Sequence, residues 1–344
     1  MKITFFSTQP YDRESFLKHH TDTRFELVFL EEKLTEHTVS LASGSQAICV
    51  FVNDNLNEAQ AICVFVNDNL NEAVIHQLSQ LNVQLIALRC AGFNNVDIKA
   101  AHACNIRVVR VPAYSPHAVA EHTLAMIMTL NRKTHKAYNR VREQNFSLNG
   151  LLGFDLHEKT VGVIGTGHIG EVFCRIMHGL GCNILACDPV KKPEIEKMGI
   201  SYAPLNELFS RCDILSLHCP LNEETRYLID SSAVAQMKTG VMLINTGRGG
   251  LVDTKAVIAG LKLGKISYLG IDVYEQEADL FSQNLSEQII LDDTIARLMT
   301  FPNVLITAHQ GFFTQEALDQ IALTTFANIK QFMVGEMLAN EVKI

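Results

Sequence analysis

The chain has 344 residues, of which 47% are hydrophobic and 19% are charged, and its formal net charge is −8. This length suggests two domains, and the composition is typical of a folded globular protein. The negative charge argues against nucleic acid as a partner, and no apolar run approaches the ~20 residues of a membrane span. The nine cysteines form no C-x-x-C pair and no metal-ligand spacing. Their pattern indicates a reducing cytoplasm and no bound metal.

Short apolar runs alternate with helical patterns along the first ~115 residues. Continuous apolar runs are typical of parallel strands that are covered on both faces, so this part of the chain predicts a small doubly wound α/β domain. The predicted strands are residues 3–6, 25–29, 62–66, 85–89 and 108–111.

A tandem duplication interrupts this pattern. Residues 46–59 (QAICVFVNDNLNEA) are repeated letter for letter at residues 60–73. The repeat is too short and solitary for a solenoid and indicates a recent duplication. Parallel neighbours need a crossover of about a dozen residues, and residues 53–60 between the two apolar runs are too few for a crossover with a helix. We therefore predict that only one copy lies in the sheet. The second copy leads directly into a predicted helix at 73–81 and is favoured, which leaves the first as a surface excursion or an edge hairpin.

The chain changes character after the first predicted domain. Residues 118–130 are apolar almost all round, which predicts a helix buried between domains or subunits. Residues 133–159 are polar and dotted with aromatic residues. This stretch has two equally weighted interpretations, an oligomer arm or an exposed loop with a helix.

A glycine turn dominates the second half of the sequence. The apolar run 161–164 stops at Gly165, Gly167 and Gly170, and an amphipathic helical pattern follows at once. This order of strand, G-x-G-x-x-G turn and helix is typical of dinucleotide binding. The first glycine permits the tight turn, the second lets backbone N–H groups approach a pyrophosphate, and the third lets the helix pack on the strand.

Two polar residues near this turn refine the ligand. A second apolar run, 183–187, ends at Asp188. A carboxylate there accepts both ribose hydroxyls and repels a 2′-phosphate, so NAD is favoured over NADP. His168 lies inside the turn and is predicted to contact the pyrophosphate.

Further strands are predicted at 214–217, 241–245, 269–271 and 304–307, and a closing helix at 314–333. The sequence therefore predicts two doubly wound parallel-sheet lobes around a cleft. A flavodoxin-like substrate domain would comprise residues 1–115 with 312–344, and a Rossmann NAD-binding domain residues 116–311.

Three charged residues follow strands of the second predicted domain, namely Arg248, Glu277 and His309. Ligands of open parallel sheets bind at the carboxyl ends of the strands, where these side chains would project. An arginine fork binds a carboxylate, a histidine donates a proton near neutral pH, and an acid beside it favours the imidazolium. With a reduced nicotinamide, this set would reduce a 2-oxo acid. Taken singly, each could instead be a surface ion-pair partner, a buried histidine or part of a solvated acidic run that includes Glu275.

These segments resemble the D-isomer-specific 2-hydroxyacid dehydrogenases, and within them the NAD-dependent fermentative D-lactate dehydrogenases. Nearly the whole chain apart from the extra 14-mer takes part in the resemblance. The segments that carry it are LRCAGFNNVD (88–97), VRVPAY (109–114), VAEH (119–122), the glycine turn, LHCPL (217–221), NTGRG (245–249), DVYE (272–275) and His309.

The resemblance implies roles for particular residues. Arg248 would bind the substrate carboxylate, Glu277 rather than Glu275 would pair with the histidine, and His309 would be the proton donor. The implied NAD contacts are His168, Ile169, Asp188, Cys219, Pro220, Thr246, Arg248 and Asp272. The residues themselves leave open whether Cys219-Pro220 line a ribose or simply end a strand. The implied substrate contacts are the backbone at Ala91 and Gly92, the Tyr114 hydroxyl and Phe312.

The sequence departs from the family at three positions. Gly247 replaces a usual Ser or Ala, which would loosen the loop of Arg248. Thr225 replaces an Asn that often contacts the cofactor, and Gly311 replaces a usual Ala. The resemblance implies NADH-dependent reduction of pyruvate to D-lactate by a cytoplasmic homodimer or homotetramer. The alternatives are a dehydrogenase for another D-2-hydroxy acid and an NAD-sensing binding protein.

Overall fold

The computed structural model describes residues 2–5, 8–31, 47–49, 61–64, 70–80, 83–93, 96–277, 280–281 and 284–343. The chain divides into two compact units. Unit 1 comprises Met1–Ser115 and Phe313–Ile344, and unit 2 comprises Pro116–Phe312. Each unit contains one parallel sheet, which confirms the predicted α/β class.

The sheet of unit 1 has six parallel strands in the order β2-β1-β3-β4-β5-β6. The elements that precede residue 115 are β1 (Lys2–Phe5), α1 (Pro10–His19), β2 (Glu26–Phe29), β3 (Ala47–Cys49), β4 (Ala61–Val64), α2 (Glu72–Gln80), β5 (Leu85–Leu88), α3 (Ile98–Ala103) and β6 (Arg107–Val109). The central strand β5 is buried along its whole length, as its continuous apolar run predicts.

Both copies of the duplication lie in this sheet, so the prediction of a single in-sheet copy was wrong. Strand β3 comes from the first copy and β4 from the second, and they pair in parallel with Ile48 opposite Ile62 and Cys49 opposite Cys63. Two identical apolar runs fit interior sheet positions equally well, so neither copy is excluded. The connection between the strands, residues 50–60, is also close to the dozen residues that a parallel crossover needs.

Unit 2 carries the glycine turn and the three charged candidates. Its elements are α4 (Pro116–Arg132), α5 (Thr134–Arg142), β7 (Thr160–Ile164), α6 (His168–Gly179), β8 (Asn183–Cys187), α7 (Pro193–Glu196), β9 (Ser201–Tyr202), α8 (Leu205–Arg211), β10 (Ile214–Leu217), α9 (Ser231–Gln236), β11 (Val241–Asn245), α10 (Thr254–Lys262), β12 (Ile266–Ile271), α11 (Asp293–Met299) and β13 (Val304–Ile306).

The seven strands of unit 2 are all parallel and run in the order β13-β12-β11-β10-β7-β8-β9. This is the Rossmann order with one further strand beyond β12. Two buried apolar clusters cover the sheet. One cluster packs α4 and α6 on it through residues such as Ile127 and Phe173, and the other packs α8, α9 and α10 through Leu208, Val234 and Val257. With both faces covered, the loops at the strand ends are the places where polar side chains collect.

The last helix, α12 (Gln315–Met333), belongs to unit 1 and packs on its sheet. Its buried residues Ala322 and Ile329 join Phe5, Phe16 and Leu85 in one apolar core. Beyond the helix, Glu341 forms an antiparallel bridge with Val109 of β6. The chain therefore returns to its first unit after completing the second.

Helix α4 includes the apolar run predicted to form a buried helix. Ala120, Thr123 and Ile127 on one side are buried, whereas Glu121 and Met128 are exposed. Helix α5, within the stretch 133–159, has no buried residue. Of the helices in the described ranges, none is long and apolar enough to cross a membrane.

Candidate active site

The glycine turn lies between β7 and α6, and its three glycines face different surroundings. Gly165 has φ +94°, and a Cβ there would lie 2.4 Å from the Cys219 nitrogen. A Cβ at Gly170 would lie 1.9 Å from the Gly165 oxygen. At Gly167 a Cβ would have no atom within 4 Å. The first and third glycines are thus required by backbone packing, and the second borders open space, as a cradle for a pyrophosphate requires.

Residues His168 and Ile169 form the first turn of α6, where N–H groups have no intrahelical acceptor and the helix dipole is positive. Asp188 follows β8 and is half-buried. Its Oδ2 accepts a hydrogen bond from the Thr166 N–H at 2.6 Å, and its Oδ1 accepts one from the Val190 N–H at 2.8 Å. The carboxylate is therefore fixed in orientation beside the glycine turn. Turn, helix terminus and acid together fit a dinucleotide with a free ribose.

The segment after β10 lies against the glycine turn, as the close approach of Cys219 to Gly165 shows. Burial raises the pKa of the Cys219 thiol to about 11, so this cysteine is a neutral, inert group. The Thr225 hydroxyl donates a hydrogen bond to the Pro220 carbonyl at 2.6 Å and accepts one from the Asn222 N–H at 2.9 Å. The hydroxyl of Thr225 therefore shapes the loop of Pro220, and its contact with the cofactor stays a prediction.

The loop of Arg248 is held by Asn245, a buried residue that the sequence reasoning did not single out. The Asn245 Oδ1 accepts from the Gly247 N–H at 3.1 Å, and its Nδ2 donates to the Arg248 carbonyl at 2.9 Å. Thr246 shares a hydroxyl hydrogen bond of 2.8 Å with Thr123 of α4. These bonds hold both sides of the loop despite the glycine at 247. A polar residue that ends a buried strand was the available signal.

His309 and Glu277 come from loops 32 residues apart in the sequence and meet in unit 2. The His309 Nδ1 lies 2.8 Å from the Glu277 Oε1, and both side chains are largely buried. The Glu277 Oε2 accepts from the Tyr274 N–H at 2.8 Å. Because the carboxylate requires a donor, Nδ1 carries the hydrogen, and Nε2 remains as the atom that can exchange a proton with a ligand. By contrast, Glu275 accepts a hydrogen bond from the Tyr227 hydroxyl at 2.9 Å.

Asp272 holds the loop of His309 in place. Its carboxylate accepts from the backbone N–H groups of Gln310 at 2.9 Å and Gly311 at 2.8 Å, and its carbonyl accepts from the His309 N–H at 2.7 Å. His309 has φ +53°, a left-handed conformation that costs about 1–3 kcal/mol and needs such support. Asp272 is only 1% exposed, so its carboxylate serves the protein loop, and its contact with NAD stays a prediction.

Two more polar residues face Asp272. The His122 Nε2 lies 3.3 Å from its Oδ1, and the Thr307 hydroxyl donates to the same oxygen. Burial raises the Asp272 pKa, but the hydrogen bonds from His122 and Thr307 outweigh burial, so the pKa is lowered overall. Asp272 is therefore an anion at neutral pH. A Cβ at Gly311 would lie 2.9 Å from its Oδ2, so the backbone at this position packs closely on the carboxylate.

The remaining predicted substrate contacts lie on loops. Ala91 and Gly92 follow β5 in unit 1, and Tyr114 follows β6 in the same unit. Phe312 is the last residue of unit 2, three positions after His309. Within the described ranges, no group of three or more His, Cys, Asp or Glu side chains is placed to hold a metal ion.

The fold and the site define a dinucleotide-binding α/β dehydrogenase with an acid–histidine pair. Comparison with known proteins identifies the family: residues 124–311 match the family model for the NAD-binding domain of D-isomer-specific 2-hydroxyacid dehydrogenases. This chain belongs to that family, and NAD is its cofactor.

The relatives cover the chain from end to end. A 2-hydroxyacid dehydrogenase homolog of Haemophilus influenzae is 48% identical over 342 residues, which are 99% of each chain. The D-lactate dehydrogenase of Escherichia coli is 46% identical over 342 residues, 99% of this chain and 100% of that protein. The structure described as the pyruvate reductase of Chlamydomonas reinhardtii has a TM-score of 0.87 at 41% identity, and covers 99% of this chain and 98% of its own.

Proposed function

We propose that this chain is a D-lactate dehydrogenase, which reduces pyruvate to D-lactate with NADH. The hydrogen bond of 2.8 Å between His309 and Glu277 is the observation that carries the proposal. It leaves Nε2 as the proton-exchanging atom of an imidazole that a carboxylate orients. The relatives named as a D-lactate dehydrogenase and a pyruvate reductase support pyruvate as the 2-oxo acid.

The proposed chemistry divides the work among three side chains. His309 donates a proton from Nε2 to the carbonyl oxygen of the substrate, and Glu277 stabilises the imidazolium before the transfer. Arg248 binds the substrate carboxylate through its planar guanidinium fork. Bound NADH supplies the hydride that reduces the carbonyl carbon. In the reverse direction, His309 accepts the hydroxyl proton of D-lactate.

Further substrate contacts are proposed for both units. In unit 1, the backbone N–H groups at Ala91 and Gly92 and the Tyr114 hydroxyl would add donors for the carboxylate. In unit 2, Phe312 would contact the methyl group of the substrate. His168, Ile169, Thr246 and the Cys219-Pro220 segment are proposed NAD contacts, with Asp188 accepting hydrogen bonds from the ribose.

One assay tests the reaction. Purified protein is mixed with NADH and either pyruvate or a 2-oxo acid with a larger side chain, and the loss of NADH absorbance is followed. We expect the largest kcat/KM with pyruvate and a D-lactate product that an enantiomer-specific assay detects. Faster turnover of a larger acid would identify a dehydrogenase for another D-2-hydroxy acid. NADH binding without turnover of any acid would identify an NAD-sensing protein and refute the proposal.

We also propose that the chain forms a homo-oligomer through the arm at residues 133–159. Five apolar side chains of this arm are between 51% and 86% exposed, namely Tyr138, Val141, Phe146, Leu148 and Leu152. The buried Asn131 holds the base of the arm. Its Oδ1 accepts a hydrogen bond from the Phe154 N–H at 2.8 Å, and its Nδ2 donates one to the Phe154 carbonyl at 2.7 Å. A segment that exposes several large apolar side chains is typical of an interface with a second copy of a chain.

Light scattering after size exclusion tests this assembly. The wild type should elute as a dimer or tetramer, and Phe146→Asp with Leu152→Asp should shift it towards the monomer. Leu263→Asp is the matched control, because Leu263 is 83% exposed outside the arm. A monomeric wild type, or an arm variant with unchanged mass, would refute the arm as the interface.

A reducing cytoplasm is the proposed compartment. The cysteines that the structure describes are free, and several are buried in apolar cores, including Cys174 and Cys212. Free buried thiols are typical of proteins that fold in a reducing environment.

A further inference from the structure

The loop that follows β5 in unit 1 turns three successive carbonyl groups towards protein donors. The Cys90 carbonyl accepts from the Val111 N–H at 3.1 Å. The Ala91 carbonyl accepts from the Arg110 guanidinium at 2.8 Å, and the Gly92 carbonyl accepts from the Cys90 thiol at 3.2 Å. Within the described part of the chain, the N–H groups of Ala91 and Gly92 have no acceptor. The loop therefore has engaged carbonyls and N–H groups that are available to an anion.

Arg110 determines the direction of one of these N–H groups. In a planar trans peptide, the carbonyl and the N–H point in opposite directions. Because Arg110 binds the Ala91 carbonyl, the Gly92 N–H of the same peptide points away from the guanidinium, towards the other side of the loop. A charged donor on the carbonyl also polarises the peptide and makes its N–H a stronger donor.

The position of Arg110 is itself well defined. Its carbonyl accepts from the Asn328 amide of α12 at 2.9 Å, and its N–H donates to the Asn340 carbonyl at 3.1 Å. The Asn340 amide in turn donates to the Asn328 Oδ1 at 2.9 Å. On the side-chain end, the guanidinium lies 5.3 Å from the centre of the Phe93 ring. Backbone and side chain are therefore both held beside the loop.

Among the described residues, no acid pairs with the guanidinium of Arg110. No carboxylate of the described residues lies within 4.0 Å of it. Arg107, three positions earlier on β6, instead pairs with Glu341. An unneutralised cation behind a loop of available N–H groups favours an anion on the loop.

We infer that Arg110 is a positioning residue for the substrate carboxylate. It orients and polarises the Ala91–Gly92 peptide and adds its charge to the loop. This inference rests on the proposed function, in which the loop is one of the contacts of the 2-oxo acid carboxylate.

Steady-state kinetics of three variants test the inference. Arg110→Met removes the donor and the charge, Arg110→Lys keeps the charge, and Arg107→Gln is the matched control, an arginine three positions earlier on β6. Because a hydrogen bond from a charged group contributes roughly 1.5–3 kcal/mol, we expect Arg110→Met to raise the KM for pyruvate about 10- to 100-fold. The kcat and the KM for NADH should stay close to wild type. Arg110→Lys should recover part of the loss, and Arg107→Gln should behave as wild type.

Each other outcome overturns the inference. An unchanged KM for pyruvate in Arg110→Met would remove Arg110 from substrate binding while the wild-type activity still stood. If Arg110→Met also lowered kcat and the melting temperature and raised the KM for NADH, Arg110 would have a purely structural role. The same conclusion would follow if the KM for pyruvate were no lower in Arg110→Lys than in Arg110→Met. If Arg110→Met does not fold, the pyruvate KM of Arg110→Lys must still lie above wild type. A wild type without turnover of any 2-oxo acid would refute the proposed function and the inference together.

Discussion

The two parallel sheets differ in how their strand order relates to sequence. Unit 2 has seven strands of different sequence, and its order is the Rossmann order extended by one strand. Unit 1 has the order β2-β1-β3-β4-β5-β6, in which β3 and β4 are copies of one sequence. Removing either copy leaves the flavodoxin-like order. An apolar run thus predicts that a segment is an interior strand, but it does not predict the position of that strand in the sheet. That position depends on the strands with which the segment pairs.

The two units also hold their functional loops differently. In unit 2, buried polar side chains fix the loops from within, as Asn245 does for Arg248 and Asp272 for His309. In unit 1, the side chain of Arg110 binds the Ala91 carbonyl from the neighbouring loop after β6. With the proposed roles, substitutions at the His309–Glu277 pair in unit 2 should mainly lower kcat, and those at Arg110 in unit 1 should mainly raise the KM for pyruvate.

The largest effect is expected at His309. Replacing His309 with Gln keeps a hydrogen-bonding side chain but removes the transferable proton, so kcat for pyruvate reduction should fall about 10²- to 10⁴-fold. Stopped-flow or steady-state NADH absorbance measures the change, and NADH binding should persist. A kcat close to wild type would exclude His309 as the proton donor.

A smaller effect is expected at the acid beside it. Glu277→Gln leaves a side chain that binds the imidazole but removes the charge that stabilises the imidazolium, so kcat should fall on the order of 10²-fold. The control is Glu275→Gln, since Glu275 bonds to Tyr227 and not to His309. The comparison of the two variants decides between the acids. Equal activities in both would contradict the assignment of Glu277.

The choice between these acids marks where sequence reasoning stops. The bounds of β10 and β11 match the predicted runs because polar residues end each buried apolar stretch. Strand β12 begins three residues before its predicted start. The prediction missed these residues because Ser267 and Tyr268 are half-buried and interrupt the apolar run. Which acid in a loop meets a histidine from another loop depends on backbone turns that spacing does not encode. For the same reason, Arg110 and Asn245 could not be linked to Ala91 and Arg248.

The next prediction concerns acid stability of unit 2. His218 packs on Phe173 at 4.9 Å, and its Nε2 lies 2.9 Å from the Ser216 hydroxyl. Burial lowers the pKa of His218 to about 3. The unfolded chain, with a histidine pKa near 6.5, therefore binds a proton that the folded chain does not. The contribution of His218 to the free energy of unfolding is therefore fully present above about pH 6.5 and is lost progressively as the pH falls towards 3.

Urea denaturation at pH 7.5 and 5.5 measures this loss. Between these values, His218 should account for about 1.4 kcal/mol of the wild-type decrease in unfolding free energy. His218→Gln should lack this part of the decrease, whatever its stability at pH 7.5. The control is His178→Gln, which replaces a histidine in the exposed last turn of α6. Identical pH dependence in the wild type and His218→Gln would show that His218 is protonated in the folded chain.

The smallest effect on turnover is expected from removing the duplication. Deleting residues 46–59 or 60–73 gives the same sequence, so one variant tests both copies. In the sheet, Ile3 pairs with Ala47, and Leu85 pairs with Ala61, its counterpart in the second copy. Strands β3 and β4 pair with equivalent residues of the two copies opposite each other, as Ile48 and Ile62 are. One remaining strand can therefore pair with β1 and β5 in the registers that both already use.

The deletion variant should fold with a five-stranded sheet in unit 1. We expect its kcat and its KM for pyruvate to stay close to wild type, because Ala91 lies in the loop after β5, and Arg110 and Tyr114 lie after β6, outside the duplicated strands. Its melting temperature should be equal or higher, since a shorter chain loses less conformational entropy on folding. Calorimetry and the NADH assay measure both. If the variant did not fold, the helices α1 and α12 would require a sheet of six strands to pack on. Both copies would then be structural parts of unit 1.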